Sequence, residues 1–428
     1  VRPETTRRPP ARHAGLAGLA LACTSLATAL ACAGRPPPAP KRAPATSMDR
    51  EAAVFAPSLR PDPVEAPPPP AEPPPTLDPV SEPGQRARGI YLTGPYLRRF
   101  GVVGALRTLE TARADAAVID LKDGQGRVTY ATAIDDLQAQ RAVFLDDPAE
   151  LVRRLKHAGI YTIARVVCFS DPVLPHRQPE RAILDGRPRR EGRVWTSWGT
   201  GGSWLDPTLS INHDLVLALV EEAESFGFDE IQLDYIRFPV DPAAHHAVLR
   251  GFEGRSRVQV MTDLLSRLDA ALGVPLSVDV FGLTAFREGD PSSLGQDLEA
   301  WVPHVEVFSP MLYLNAMKTW GRHLDRRALG LIKAGVSRLR ERVGPVPVIR
   351  PFLQAFDDGV SDFSARTVRE QIRGARVGGA DGWLFWHPAS NYGRVFTAMR
   401  ARSAERLLRR VPMRSRIAAR QAAWAWTP

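Results

Sequence analysis

Eight short runs of apolar and β-branched residues recur through the middle of this chain, and they restrict its fold more than any other feature. They occupy 88–93, 117–122, 161–169, 230–238, 275–281, 306–313, 348–353 and 382–386. Between them lie segments with helical spacing, such as Leu215, Leu219, Ala223 and Phe226. A continuous apolar strand alternating with a helix reads as a parallel strand covered on both faces. Eight such units within residues 87–400 predict a (β/α)8 TIM barrel, an α/β fold. A doubly wound open sheet is the alternative. It usually carries a glycine-rich phosphate loop, and neither GxGxxG nor GxxxxGK[ST] follows any of the eight runs.

The flanking segments differ in kind. In 1–34, Arg7, Arg8 and Arg12 precede an uncharged Ala- and Leu-rich stretch that ends in Ala29-Leu30-Ala31-Cys32-Ala33-Gly34. A basic start, an apolar centre and a small-residue exit predict an export signal. The stretch resembles a bacterial lipoprotein signal, which implies lipidation at Cys32 and a membrane-anchored location in the cell envelope. A plain cleaved signal and an uncleaved anchor stay open as alternatives. From Arg35 to Gly84, 17 of 50 residues are proline, so 35–86 is expected to be a disordered, semi-rigid spacer. Residues 401–428 form a basic tail.

Charge belongs to these flanks. The chain carries a formal +9 with a sequence pI near 9.9, which invites a nucleic-acid reading. However, 1–34 contributes +3, 35–86 contributes −1 and 401–428 contributes +6, leaving +1 for 87–400. No nucleic-acid partner is expected. Cys23, Cys32 and Cys168 are too few for a disulfide framework, and Cys168 in an apolar strand reads as a small core residue. No HxH, HExxH or GxSxG occurs, so neither a metal nor a cofactor nor a serine nucleophile is expected.

On a (β/α)8 barrel, function sits at the C-terminal ends of the strands. Those ends offer Asp120 and Asp123 after the second strand, Asp234 and Arg237 on the fourth, and Asp279 on the fifth. Tyr313 and Asn315 follow the sixth, Arg350 and Gln354 lie on the seventh, and Trp386 with His387 ends the eighth. An ionised Asp in an apolar strand is costly unless paired. Asp234 and Asp279 stand on neighbouring strands and are the candidate catalytic pair. Asp120, Asp123 and Asp206 are reserve carboxylates. Two carboxylates flanking one ligand are what glycoside hydrolysis requires, one as proton donor and the other as nucleophile or charge stabiliser. Tyr313, Trp386, Trp204, Arg237, Arg350 and Asn315 are candidates for substrate binding, the Trp rings as platforms for sugar faces. The long excursion after the third strand, from Asp171-Pro172 through Arg187–Arg193, Trp195, Trp198 and Trp204 to Asp206-Pro207, is expected to be functional.

Several motifs resemble a known family in order along the chain. They include Gly89-Ile90-Tyr91-Leu92-Thr93, Ile119-Asp120-Leu121-Lys122-Asp123, Ala164-Arg165-Val166-Val167 and Trp204-Leu205-Asp206-Pro207. The strand-four segment from Gly227 to Pro239, Asp279-Val280-Phe281-Gly282 and Ser309-Pro310-Met311-Leu312-Tyr313 continue the series. Together they resemble the bacterial putative glycoside hydrolase domain, a family of glycosidase-like TIM barrels. A more distant similarity is to chitinase-like barrels. Asp229 and Asp234 match the first and last Asp of their strand-four motif, Met311 and Tyr313 their strand six, and Trp386 their floor Trp. Gln232 replaces the middle Asp and Ile236 stands where their acid Glu would be. The expectation is therefore an exported glycoside hydrolase acting on a cell-envelope or extracellular polysaccharide. The alternative is a glycan-binding or scaffold protein on an inactivated barrel.

Overall fold

All eight expected strands form. The structure, a computed structural model, describes residues 79–197, 202–240, 242–286, 294–316, 328–357, 360 and 363–400. The strands are β1 (Arg88–Leu92), β2 (Ala116–Lys122), β3 (Tyr161–Val167), β4 (Glu230–Asp234), β5 (Leu276–Phe281) and β6 (Val307–Met311). β7 comes in two pieces, Val348–Ile349 and Phe352–Gln354, and β8 is Trp383–Trp386. Every pairing is parallel and sequential, and β8 returns to β1 through Arg88↔Trp383, so the sheet is a closed (β/α)8 barrel. Closure there brings two backbones together: a Cβ on Gly382 would lie 2.1 Å from the Ala87 carbonyl oxygen, a position only glycine fills.

A helix follows each strand. These are α1 (Gly94–Ala112), α2 (Pro148–His157), α3 (Ser210–Ser225), α4 (Arg257–Ala271), the single turn α5 (Leu298–Trp301), α6 (Ala328–Val343), α7 (Ala365–Gly378) and α8 (Gly393–Arg400). Their starts follow local chemistry. Thr93 and Asp147 cap α1 and α2, and Ser256 and Ser364 form capping boxes with Gln259 and Thr367. Among the described residues no helix is long and apolar enough to cross a membrane.

Successive strand residues face opposite ways, so each strand supplies two different surfaces. Ile231, Leu233, Val278, Val280 and Phe308 join the outer core beneath the helices. Their neighbours Gln232, Asp234, Ser277, Asp279 and Ser309 point into the barrel. Gln232 on β4 donates to the Ser309 hydroxyl on β6 at 3.2 Å, reaching across the interior past β5. Val118, Ile163, Phe352 and Leu384 form an apolar cluster within the interior. Arg350 and Glu230 pair at one end of the barrel, and Asp120, Arg165 and Asp234 gather at the strand ends.

The N-terminal end of the barrel is plugged. The short turn Glu82–Gln85, which composition groups with the proline-rich spacer, packs there structurally. Val80 clusters with Val307 and Val348, and the Gly84 carbonyl accepts a hydrogen bond from Arg350 at 3.0 Å. The expected export signal with Cys32, residues 35–78 of the expected spacer, the tail and Trp198 lie outside the described residues.

Candidate active site

Four charged side chains from consecutive strands converge at the polar upper end of the barrel, and Arg165 is at their centre. Asp120 stands beside Arg165 in the β2–β3 register, and Val167 beside Asp234 in the β3–β4 register. The Arg165 guanidinium donates to Asp120 at 2.5 Å and to Asp234 through both Nε at 3.1 Å and Nη2 at 2.5 Å. It also lies 3.9 Å from a carboxylate oxygen of Asp279, on β5. Tyr91 on β1 donates its hydroxyl to Asp120, and its ring lies 5.4 Å below the Arg165 guanidinium carbon. Asp234 accepts a further bond from the Tyr235 amide at 2.6 Å, where Tyr235 turns the chain with a positive φ of 53°. One cation therefore holds three carboxylates in one charge-assisted network.

The three acids are not equivalent. Asp234 is the most exposed, with 8% of its side chain accessible against 2% for Asp120 and for Asp279. Burial pushes Asp279 well above the ordinary carboxylate range, and the negative charge of Asp234 adds to that shift while Arg165 opposes it. Asp279 Oδ1 has no hydrogen-bond partner among the described residues, which suits a neutral carboxyl better than an anion. Asp120 shows two opposing effects. Burial raises it, the Arg165 charge lowers it, and burial prevails, leaving it at about 6. For Arg165, burial alone would lower the value, but Asp120 and Asp234 together hold it above the usual range, so it stays charged.

The raised Asp120 has a measurable consequence. A carboxyl that titrates at about 6 in the folded protein, against 3.8 ordinarily, binds its proton more tightly when folded. Its contribution to stability is therefore full below about pH 4 and is lost as pH rises to about 6, a change of about 3 kcal/mol. Urea denaturation across that window should show the wild type losing stability relative to Asp120→Asn, which cannot titrate. Parallel curves for the two proteins would contradict the assignment.

Above this network lies an aromatic mouth. Trp386, half-buried at the end of β8, stacks on Tyr91 at 6.2 Å and touches Tyr313 at 5.7 Å and Phe356 at 5.3 Å. Tyr313 and Trp386 are thus where a ligand platform is expected. Asn315 lies in a buried turn after β6; its backbone amide donates to Gln354 at 3.0 Å, and its Oδ1 has no hydrogen-bond partner among the described residues.

Other sequence candidates lie elsewhere. Arg350 points to the opposite end of the barrel, where it pairs with Glu230 in a fully buried ion pair and lies over the Tyr161 ring. Trp204 is fully buried and is no sugar platform; its ring packs 4.9 Å from the Arg237 guanidinium. Arg237 is itself buried among Trp204, Tyr235 and Phe281. Asp206 is consumed within its own turn, accepting from Thr208 and from the Arg250 amide. Asp123 closes a turn with Arg127. Asp229 meets Thr162 and Lys156 before β4 begins, and Ile236 is fully buried. The excursion after β3 packs Trp195 and Trp204 into the main core of the barrel and is rooted by a fully buried Lys122–Asp171 ion pair of 3.0 Å. Arg165 and Tyr91 were visible only as parts of motifs. A basic residue inside the apolar run Ile163–Val167 is the signal that marks Arg165. Among the described residues no group of His, Cys, Asp and Glu is arranged to hold a metal ion.

A family model described as a putative glycosyl hydrolase domain matches residues 89–392. No curated protein matches the chain. Among solved structures, the chain is similar to the glycoside hydrolase domain of PgaB (BpsB) from Bordetella bronchiseptica, at 15% identity and a TM-score of 0.52, over 75% of this chain and 97% of that one. It is also similar to alpha-L-fucosidase isoenzyme 2 from Paenibacillus thiaminolyticus, at 14% identity and a TM-score of 0.51, over 75% of this chain and 50% of that one. A hypothetical protein from Ruminiclostridium thermocellum is 28% identical over 45% of this chain and 97% of that one, with a TM-score of 0.40. The two matches with TM-scores of 0.52 and 0.51, at 15% and 14% identity, speak for the barrel alone.

Proposed function

We propose that this chain, which belongs to the putative glycosyl hydrolase domain family, hydrolyses a polysaccharide at the carboxylates above Arg165. The observation that carries this reading is the pairing of unlike acids at adjacent strand ends. Asp279 is buried and its carboxyl is raised well above the ordinary range, which favours its protonated form, whereas Asp234 is ion-paired to Arg165 and more exposed. Two carboxyl groups in contrasting environments divide into acid and anion. Asp279 gives its proton to the glycosidic oxygen as the bond to the anomeric carbon breaks. Asp234 faces the positive charge that develops on that carbon, and water completes the hydrolysis. Trp386 and Tyr313 hold the apolar face of the sugar. The expected leader and spacer would place this barrel outside the cytoplasm on a lipid tether, where envelope glycans are within reach.

A specific observation favours a second reading. The Asp279 Oδ1 atom is shielded from solvent, and Ile236 fills the place of a chitinase-like acid with a buried side chain. A glycan resting on the mouth would then meet Asp234 and Arg165 and be held without cleavage. Reducing-end release from a panel of bacterial exopolysaccharides and cell-wall glycans separates the two. The hydrolase predicts turnover by the wild type and a loss of at least about 100-fold in Asp234→Asn. Measurable affinity without turnover by the wild type would establish the binder.

A further inference from the structure

A cavity of about 400 Å3 opens beside the aromatic mouth, between the segment after β7 and the segment after β8. That size lies within the roughly 300–1,000 Å3 of small-molecule sites. Its lining includes Phe356, Asp357, His387, Asn391, Arg394 and Thr397, and none of these has a part in the acid network around Arg165. We infer that this cavity is a distal subsite for one uncharged hexosyl unit of the glycan, an inference that rests on the strand ends being a glycan site.

Three observations carry it. First, a run of ring contacts joins the acids to the cavity, the last two of them edge to face. Arg165 lies over Tyr91, Tyr91 stacks on Trp386 at 6.2 Å, Trp386 meets Phe356 at 5.3 Å, and Phe356 meets His387 at 6.4 Å. A chain of pyranose rings crossing the mouth keeps an apolar face beneath it along that path. Second, the polar groups match hydroxyls. Asp357 supplies a carboxylate acceptor, Arg394 and Asn391 supply donors, and Thr397, whose hydroxyl donates to the Gly393 carbonyl at 2.9 Å, supplies an acceptor. His387 Nδ1 accepts from the Ala389 amide at 3.0 Å, which leaves the ring proton on Nε2 as one more donor. Burial lowers His387 below its ordinary value despite the nearby Asp357, so the ring stays neutral at pH 7. Third, one acid and one base line the cavity, and their charges balance. A uronate or phosphate would meet Asp357 as a like charge, whereas a neutral sugar lets both groups hydrogen-bond to it.

The test is calorimetric affinity of the full chain in an Asp279→Asn background, which prevents cleavage during titration. The probes are β-1,4-linked glucose and N-acetylglucosamine oligomers of two and of six units, with galacturonate oligomers of the same lengths. Asp357→Ala and Arg394→Ala alter exposed side chains and leave the fold intact. Each is expected to weaken the six-unit neutral oligomers about tenfold, the scale of one lost charged hydrogen bond. Neither should change affinity for the two-unit oligomers, and Asp357→Asn should fall between. Unchanged six-unit affinity in both variants, equal losses at both lengths, or a preference for galacturonate would overturn the subsite while leaving the strand-end reading in place. A parent protein that binds none of the oligomers would overturn both.

Discussion

Replacing Arg165 with leucine is expected to destabilise the barrel by about 3–5 kcal/mol at neutral pH, the usual cost of removing one partner from a buried ionic network. The reason lies in what the guanidinium holds. It donates to Asp120 and Asp234 and lies 3.9 Å from Asp279, and all three acids are buried. Without it, the carboxyl groups of Asp120 and Asp234 lose their counterion in a site that water scarcely reaches. Asp120, already raised to about 6 by burial, responds by taking up a proton. The loss should therefore shrink toward about pH 4, where Asp120 is neutral with or without Arg165. Urea denaturation at neutral and acid pH reads this directly. The triple variant with Arg165→Leu, Asp120→Asn and Asp234→Asn should recover much of the stability, since neutral amides tolerate burial better than unpaired charges. A loss below about 1 kcal/mol with no pH dependence would mean that Arg165 packs rather than pairs.

The second large effect concerns Asp279. Asp279→Asn keeps the shape of the side chain and removes the proton that burial holds there. Turnover of a natural glycan is expected to fall by about 10²–10⁴, the usual contribution of a general acid. Since Asp279 acts in its protonated form, the wild-type rate should decline as pH rises through its raised value, and that alkaline limb should be absent from the variant. The stability cost should be small or even reversed, because an amide replaces a carboxyl that is expensive to ionise in this position.

Much of this was legible from strand pattern. The eight apolar runs mark all eight strands, because the outer faces of a parallel barrel are uniformly hydrophobic. Asp120, Asp234 and Asp279 stand out as acids in such runs, and all three meet at Arg165. Arg350 obeys the same rule yet lies at the other end. The strand is evident from sequence, but the direction in which a long side chain reaches is set by its partner, here Glu230 on β4. Trp204 shows a different limit. A tryptophan in a long loop reads alike whether it faces the mouth or packs into the core, and here Trp204 is buried in the core beside Tyr235 and Arg237. The cavity at Phe356 and His387 joins the segment after β7 to the segment after β8 and the start of α8, so no single local pattern announces it.

The central claim is that Asp279 delivers the proton to a glycan held above Arg165. It is tested most directly by comparing two substrates in Asp279→Asn: the natural glycan and a dinitrophenyl glycoside of the same sugar, whose leaving group departs without protonation. The account predicts that the variant loses about 10²–10⁴ in turnover of the glycan and retains near wild-type rates of dinitrophenol release. Equal losses on both substrates, or full activity on the glycan, would contradict it.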